Sequence, residues 1–437
     1  MSKKAHSKTS DAKMLEDLQR QTFDYFEQHV NPHNGLIADK SESDSPASIA
    51  AVGFGLSAYA AAVERGVLSR EVARTRVLGT LRFFHSSPQG TEPDATGYKG
   101  FYYHFLDMQT GRRAWQCELS TIDTALLIAG VLSAGLYFDG ASDDEREIRD
   151  LAEALYRRVD WIWAMNGSNT VTHGWKPESG FLAYSWNEEY SEALILYVLA
   201  LGSPTFPITE KSYRDWTSTF QLRTAYDIEY IYAGPLFIHQ FSHIWLDFRD
   251  IKDDRNREVG FDYFENSRRA TLVQRQYAID NPHGFTHYSK YGWGITASDG
   301  PGPAVRVVDG IRRKFYGYLA RGAPFGPDDG TISPWAVAAS LPFAPEAVCE
   351  TIRHAIEQLA RIHKAGRGFD ASFNPTFPVS NHDPNGWVSP MRFGLNEGPI
   401  ILMIENYLSG LFWKLFRQCP HVVTGLGRAG FRGGWLG

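Results

Sequence analysis

The 437-residue sequence has little cysteine, no long apolar run and no basic tract. Its three cysteines, Cys117, Cys349 and Cys419, lie far apart, so the sequence indicates neither a disulfide scaffold nor a CxxC metal motif. No apolar run reaches the length of about 18 residues that a membrane-spanning helix requires, so no membrane association is expected. Lysine and arginine total 44 against 50 acidic residues, a formal net charge of −6, and this balance does not favour nucleic-acid binding.

The N-terminal stretch MSKKAHSKTSDAKML is polar and lacks the apolar core of a signal peptide. The sequence as it stands therefore predicts a cytoplasmic protein, and a periplasmic one if a leader has been removed. Helical spacing of apolar residues begins after Ser10. We expect residues 1–10 to form a flexible tail ahead of a single domain over residues 11–437, in a monomer or a small homo-oligomer.

Aromatic residues, in contrast, are abundant: 27 Phe, 21 Tyr and 12 Trp make up 14% of the chain. Stretches that are apolar on nearly all sides (47–64, 119–136, 189–201) alternate with amphipathic stretches (69–84, 145–165). A helix that is apolar all round is buried, whereas an amphipathic helix covers it. This alternation predicts an all-α fold, an (α/α)6 barrel built as a toroid of helical hairpins, with long ordered loops at one mouth. Two stacked all-α domains are the alternative.

Five long loops mix Trp and Tyr with Asp, Asn and His, at residues 100–107, 173–190, 287–302, 326–336 and 368–390. Aromatic faces stack on the C–H faces of sugar rings, and carboxylates and amides bind the hydroxyl groups. Loops of a helical toroid gather at one mouth, so the pattern favours a carbohydrate site. The side chains on these loops predicted to bind the substrate are Tyr103, His104, Trp186, Tyr190, Trp293, Asp299, Asp329, Asn374 and Trp387.

A histidine pair stands in the stretch PLFIHQFSHIWLDFR, residues 235–249. If the stretch is one helix, His239, His243 and Asp247 share a face. Two histidines at this spacing can bind zinc, but the zinc protease motif requires Glu after the first His, where this chain has Gln240. We therefore predict no metal here and interpret the histidines as polar groups that face a cavity or bond across helices, with His239 and His243 among the candidate substrate contacts.

Two carboxylates stand beside strongly apolar segments: Asp123 in ELSTIDTALLIAG and Glu192 in EEYSEALILYVLALG. A buried carboxylate is costly unless it is paired, and burial raises its pKa, as a general acid requires. The residues alone leave two interpretations open, a paired structural carboxylate and a catalytic one.

Several segments, in order along the chain, carry a more specific signal. They include QTFDYFEQHVNPHNGLIADK (21–40), ELSTIDTALLIAG (118–130), GPLFIHQFSHIWLDFR (234–249) and GLNEGPIILMIENYLSGLFW (394–413). Together they resemble the bacterial endo-β-1,2-glucanase family of glycoside hydrolases, whose domain has been labelled "glucoamylase-like". The resemblance implies an (α/α)6 barrel, endo-type hydrolysis of β-1,2-glucan with inversion at the anomeric carbon, sophoro-oligosaccharide products, and no metal or organic cofactor.

The same resemblance assigns roles to the two buried carboxylates. Glu192, in the motif Y-S-E-A, corresponds to the general acid. Asp123, in the motif S-T-I-D-T-A, corresponds to a residue near the glucose-binding subsites.

The general base is assigned by the resemblance to an Asp in a G-F-x-D-x-F-N motif. This chain reads G-F-D-A-S-F-N, so Asp370 stands one position early and Ala371 holds the family position. Glu397, which stands where relatives have Gln before Gly-Pro, is the alternative base. Two other functions stay open: a transglycosylase or cyclase that acts on the same glucan, and a non-catalytic glucan-binding protein that has lost its base.

Overall fold

Serine side chains begin four of the helices that build the core. Ser48, Ser69, Ser120 and Ser142 each accept a hydrogen bond from the backbone N–H three residues later, which satisfies a donor that the first turn leaves free. The helices that follow Ser48 and Ser120 are buried along nearly their whole length. The prediction of buried helices that are apolar on all sides is confirmed in these two elements.

The computed structural model describes residues 3–359, 362–379 and 386–437. The α-helices in these ranges are α1 (Lys3–Gln28), α2 (Ile49–Glu64), α3 (Arg70–Ser86), α4 (Thr121–Tyr137), α5 (Asp143–Arg157), α6 (Trp161–Ala164), α7 (Leu194–Gly202), α8 (Glu210–Thr217), α9 (Asp254–Val259), α10 (Tyr263–Asp280), α11 (Pro334–Ala339), α12 (Pro345–Gln358), α13 (Gly394–Leu408), α14 (Leu411–Arg417) and α15 (Pro420–Arg428). Three 3-10 helices span Leu236–His239, Phe241–Ile244 and Gly434–Leu436.

Short antiparallel strands connect the helices. They are β1 (Ala47–Ser48), β2 (Gly97–Tyr98), β3 (Phe101–Tyr103), β4 (Phe105–Leu106), β5 (Leu119–Ser120), β6 (Gly174–Lys176), β7 (Gly180–Phe181), β8 (Leu222–Ala225), β9 (Ile228–Ile231), β10 (Ala297–Ser298), β11 (Ala304–Val308), β12 (Ile311–Phe315), β13 (Leu319–Ala320), β14 (His363–Lys364), β15 (Gly368–Phe369), β16 (Phe373–Asn374) and β17 (Trp387–Val388). The largest sheet among the described residues has the order β2-β3-β5-β6-β7, and the other strands form pairs.

The apolar helices contact one another, and the amphipathic helices lie against them. α2 packs against α4 and α13, α4 packs against α7, and α11 packs against α13. Between α7 and α11 lie the first two 3-10 helices, where Ser242 Oγ accepts from the N–H of Ile195 at 3.0 Å and Gln240 Nε2 donates to the carbonyl of Ala336 at 2.7 Å. One hydrophobic cluster of buried side chains runs through these elements from Leu15 to Phe431.

Three helix boundaries differ from the sequence prediction. α1 begins at Lys3, whereas the sequence prediction started this helix at Asp11. The predicted helix over residues 235–249 is instead two 3-10 helices, interrupted at Gln240, whose backbone leaves the helical region at φ −121°. α7 begins at Leu194, whereas the predicted apolar stretch began at residue 189, and Glu192 and Ala193 form a turn before the helix.

The helices of the described ranges do not combine the length and the hydropathy that a bilayer crossing requires.

The backbones of α2 and α4 lie close together at two glycines. A Cβ on Gly53 would lie 2.3 Å from the carbonyl oxygen of Leu126, and a Cβ on Gly130 would lie 2.0 Å from the carbonyl oxygen of Gly53. These distances are shorter than any van der Waals contact, so the crossing of the two helices requires glycine at both positions.

We expect Gly53→Ala to lower the free energy of unfolding by about 1–3 kcal/mol, because the added methyl group must push α2 away from α4. Gly79→Ala is the matched control: a Cβ there meets nothing within 4 Å, and alanine inside α3 is expected to raise stability by about 0.5–1 kcal/mol. Urea unfolding followed by circular dichroism measures both values. Equal effects at the two positions would show that the crossing tolerates a side chain.

Candidate active site

A cavity of about 530 Å³ lies where the N-terminal ends of the apolar elements meet. Ser48 caps α2, Asp123 is in the first turn of α4, Glu192 precedes α7, Trp335 is in the first turn of α11 and Asn396 is in the first turn of α13, and all five line the cavity. Helix N-termini carry partial positive charge and free N–H donors. The cavity is therefore a place where this fold can hold acidic groups.

Among the described residues, four carboxylates line the cavity: Asp39, Glu118, Asp123 and Glu192. His104 lies among them, with Nδ1 2.9 Å from Glu118 Oε1 and Nε2 3.7 Å from Asp123 Oδ2. Burial favours the neutral imidazole, but the carboxylates Asp123, Glu118 and Asp39 outweigh it and raise the pKa of His104 to about 9. His104 is therefore an imidazolium ion at neutral pH.

Glu192 lies in the turn before α7. Its backbone carbonyl accepts a hydrogen bond from Ser242 Oγ at 2.8 Å, which fixes the turn against the second 3-10 helix. Burial, and to a smaller extent the charge of Asp123, raise the pKa of the Glu192 carboxyl to about 7. A carboxyl group that keeps its proton near neutral pH is suited to protonate a leaving group.

Asp123 is fixed by the residue that caps its helix. Ser120 Oγ accepts from the N–H of Asp123 at 3.2 Å and donates to Asp123 Oδ2 at 2.5 Å. This reciprocal pair sets the carboxylate at the cavity wall.

Aromatic side chains flank the carboxylates. Trp186 stacks on His173 with ring centroids 4.0 Å apart, and its indole N–H donates to Thr121 Oγ1 at 3.0 Å. Tyr318, which follows the β11–β12 hairpin, also lines the cavity, and 61% of its surface is exposed. Flat apolar faces beside carboxylates can stack on a sugar ring and bind its hydroxyl groups.

The structure brings four of the predicted site residues together at the cavity: His104, Asp123, Trp186 and Glu192. Asp299 lies near by, and its Oδ2 accepts from Ser389 Oγ at 2.9 Å.

The other predicted contacts on the loops do not line this cavity. Trp293 donates its indole N–H to Thr351 Oγ1 at 3.0 Å, and Tyr190 stacks on the ring of Tyr263. Tyr103 is buried, and the guanidinium group of Arg113 lies over its ring. Asn374 and Trp387 are opposite each other in the β16–β17 strand pair. Asp329 forms an ion pair with Arg321. Residues 380–385 of the loop 368–390 lie outside the described residues.

His239 and His243 bond across elements, as one interpretation of the sequence predicted. His239 Nε2 lies 3.2 Å from the carbonyl oxygen of Ala233, and His243 Nε2 lies 2.9 Å from Ser267 Oγ. Burial lowers the pKa of His239 to about 4 and that of His243 to about 3, so both rings are neutral. Neither ring lines the cavity, because the 3-10 turns replace the single helical face that their spacing assumed.

The two predicted bases are engaged in ion pairs beside the cavity. Asp370 Oδ2 lies 2.7 Å from Lys364 Nζ, and Glu397 Oε2 lies 2.9 Å from Arg392 Nη2. Both carboxylates are buried, and neither lines the cavity. Burial raises the pKa of Glu397, and the attraction of Arg392 opposes that rise.

Among the cavity residues that sequence reasoning missed are Asp39, Glu118 and Tyr318. Asp39 stands in an irregular segment with no helical spacing to mark it as buried. Glu118 and Tyr318 stand beside short strands, where two residues are too few to show a period. The one available signal was position: Glu118 is five residues before Asp123, and Asp39 is the next-to-last residue of the first segment of the family resemblance.

Residues 183–420 match the model of the Glycoamylase family, described as "Putative glucoamylase". The chain belongs to the Glycoamylase family. A crystal structure titled as a "putative glucoamylase" from Bacteroides uniformis ATCC 8492 is 33% identical, with a TM-score of 0.85, and the match covers 98% of this chain and 99% of that one. The endo-β-1,2-glucanase from Chitinophaga pinensis, solved with sophorotriose and glucose, is 27% identical with a TM-score of 0.85 over 98% of this chain and 99% of that one.

A curated relative adds a second activity name to the Glycoamylase family. It is the exo β-1,2-glucooligosaccharide sophorohydrolase (non-reducing end) of Parabacteroides distasonis, 27% identical over 451 residues. The match covers 95% of this chain and 58% of the relative, so the chain spans less than two thirds of the length of that protein. The helix-rich fold and the resemblance to β-1,2-glucanases that the sequence predicted are confirmed.

Asp329 pairs with Arg321 instead of facing the cavity. Asp329 Oδ1 lies 2.7 Å from Arg321 Nε, Oδ2 lies 2.9 Å from Nη2, and both side chains are fully buried. Removing one partner leaves the other charge buried alone, which is a large cost.

We expect Asp329→Asn to lower the free energy of unfolding by about 3–5 kcal/mol, because the Arg321 charge loses its partner. Asp123→Asn is the matched variant at the cavity, and we expect it to change stability by about 1 kcal/mol or less, since Ser120 can still bond to the amide. Denaturant titration measures both. An Asp329→Asn protein of wild-type stability that has lost affinity for glucan would instead support the sequence prediction that Asp329 contacts the substrate.

Proposed function

We propose that this chain is a glycoside hydrolase that cleaves β-1,2-linked glucan. The observation that carries the proposal is the cavity itself, in which a carboxyl group of raised pKa, Glu192, faces further carboxylates between the aromatic side chains Trp186 and Tyr318. Relatives named for β-1,2-glucan and β-1,2-glucooligosaccharides match almost the whole of this chain and support the linkage. No cofactor enters the proposed reaction.

The proposed architecture is an (α/α)6 barrel in one domain over residues 11–437, which α1 extends toward Lys3. Its inner elements are α2, α4, α7, the pair of 3-10 helices, α11 and α13, which contact one another in sequence order, and the last contacts the first. α1, α3, α5, α10, α12 and α15 are the outer elements. The loops at the N-terminal ends of the inner elements form the mouth.

The proposed reaction is endo-type hydrolysis with inversion, which yields sophoro-oligosaccharides. Glu192 gives its proton to the glycosidic oxygen as the bond from that oxygen to the anomeric carbon breaks. Asp123 binds a glucose unit next to the cleaved bond, and Trp186 stacks on a ring. A water molecule attacks the anomeric carbon from the opposite face and loses its proton to a carboxylate, for which the sequence offers Asp370 or Glu397. Inverting enzymes place the two carboxyl groups about 6.5–9.5 Å apart to make room for this water.

The Glu192→Gln variant tests the general acid. With linear β-1,2-glucan as substrate, we expect it to lose about 100- to 10,000-fold in kcat, because the amide has no proton to give at this step. Glu188→Gln, an exposed residue on the same loop, is the matched control and is expected to keep wild-type turnover. Product size by chromatography and anomeric form by NMR complete the measurement. Products longer than the substrate, or cyclic ones, would assign glycosyl transfer, and glucan binding without cleavage by the wild type would assign a binding protein.

The pKa of Glu192 sets the alkaline side of the pH profile. Its carboxyl group acts only while protonated, and its pKa is about 7, so we expect kcat/KM to fall as the pH rises above about 7. A profile of kcat/KM against pH on linear β-1,2-glucan measures this limb. A flat profile from pH 6 to pH 9 would contradict the role of Glu192 as the acid.

A further inference from the structure

Asp39 is the cavity carboxylate that the described residues leave available to a substrate or a water molecule. Glu118 is bound to His104 at 2.9 Å, Asp123 is bound to Ser120 at 2.5 Å, and Glu192 is the proposed acid. Within the described residues, no hydrogen-bond donor reaches the carboxyl group of Asp39, which lines the cavity and is partly exposed there. A general base requires such a free oxygen, because it must accept a hydrogen bond from the attacking water.

The backbone around Asp39 holds the carboxyl group in place. The N–H of Asp39 donates to the carbonyl of Pro46 at 2.8 Å, and its carbonyl accepts from the N–H of Gly394 at 2.9 Å. Tyr25 donates its hydroxyl proton to the carbonyl of Ala38 at 2.8 Å. The segment is thus tied both to the start of α13 and to α1, and the side chain projects from a rigid wall.

Burial and nearby charges give the carboxyl groups of Asp39 and Glu192 different pKa values. The charge of Asp123 raises the pKa of both groups. Burial raises the pKa of Asp39 to about 6, His104 and Lys40 lower it, and Asp123 raises it. Since this pKa lies below that of Glu192, a pH range exists in which Asp39 is ionised while Glu192 keeps its proton.

We propose that Asp39 is the general base of the hydrolysis, in the cavity that it shares with Glu192. This inference rests on the proposed function. Asp39 accepts one proton from the attacking water, whose oxygen forms a bond to the anomeric carbon. The bond from that carbon to the glycosidic oxygen breaks, and the departing oxygen takes the proton of Glu192. One water is consumed, both product hydroxyl groups are formed, and solvent restores the two carboxyl groups to their starting states.

The experiment compares Asp39→Asn with the two competing variants Asp370→Asn and Glu397→Gln on linear β-1,2-glucan. Wild-type hydrolysis is measured first, so that a failure of the proposed function is seen before the base is tested. We expect Asp39→Asn to lose about 100- to 10,000-fold in kcat and the acid limb of its pH profile, with an unchanged melting temperature. Azide should restore part of the turnover in that variant and form a glucosyl azide of inverted configuration, because azide attacks without a base. Asp150→Asn, an exposed residue on α5, is the matched control.

Two outcomes would overturn the proposal. One is an Asp39→Asn protein whose kcat stays within tenfold of the wild type, or whose loss lies entirely in KM, since Asp39 would then only bind the sugar. The other is azide-restored turnover in Asp370→Asn or Glu397→Gln and not in Asp39→Asn, which would assign the base to that carboxylate.

Discussion

The site depends on one arrangement: the buried, apolar helices all begin at the same cavity. An apolar helix can be enclosed only if its first N–H groups find partners, and at α2 and α4 the hydroxyls of Ser48 and Ser120 each supply one. Ser120 shows both functions, since its hydroxyl caps α4 and orients Asp123 in the cavity. The capping that lets the core form is therefore also what sets the first carboxylate of the site.

Behind the cavity walls, buried ion pairs connect the loops to the helices. Arg392 and Glu397 join the segment before α13 to its first turn, and Arg321 and Asp329 join the end of the β11–β12 hairpin region to the loop before α11. Such pairs contribute little net stability compared with apolar side chains, but they impose one geometry. Phe393 and Leu395, which line the cavity, lie between the members of the first pair. The positions of the walls are thus set by charges that do not themselves line the cavity.

Much of the fold could be predicted from the sequence, because a helix that is apolar on all sides can be recognised as buried from its composition alone. The stretches that became α2 and α4 contain almost no polar residue, and the sequence identified them directly. Glu192 and Asp123 could be found for the same reason, as acidic groups beside apolar runs. Asp39 could not, since its position depends on backbone hydrogen bonds to Pro46 and to Gly394, and Gly394 is far away in the chain. The ion pair of Asp329 with Arg321 could not be predicted either, since the sequence does not reveal which charged side chains meet.

The break at Gln240 separates the two 3-10 helices, and the second of them lies against the turn before α7. One hydroxyl there, that of Ser242, bonds both to the carbonyl of Glu192 and to the N–H of Ile195, so it joins the turn that carries Glu192 to the first turn of α7. A continuous helix over the same residues would direct its side chains along a different path and would satisfy its own backbone. The irregular segment thus fixes the turn before α7, and the position of Glu192 in the cavity wall depends on a single serine hydroxyl that does not itself line the cavity.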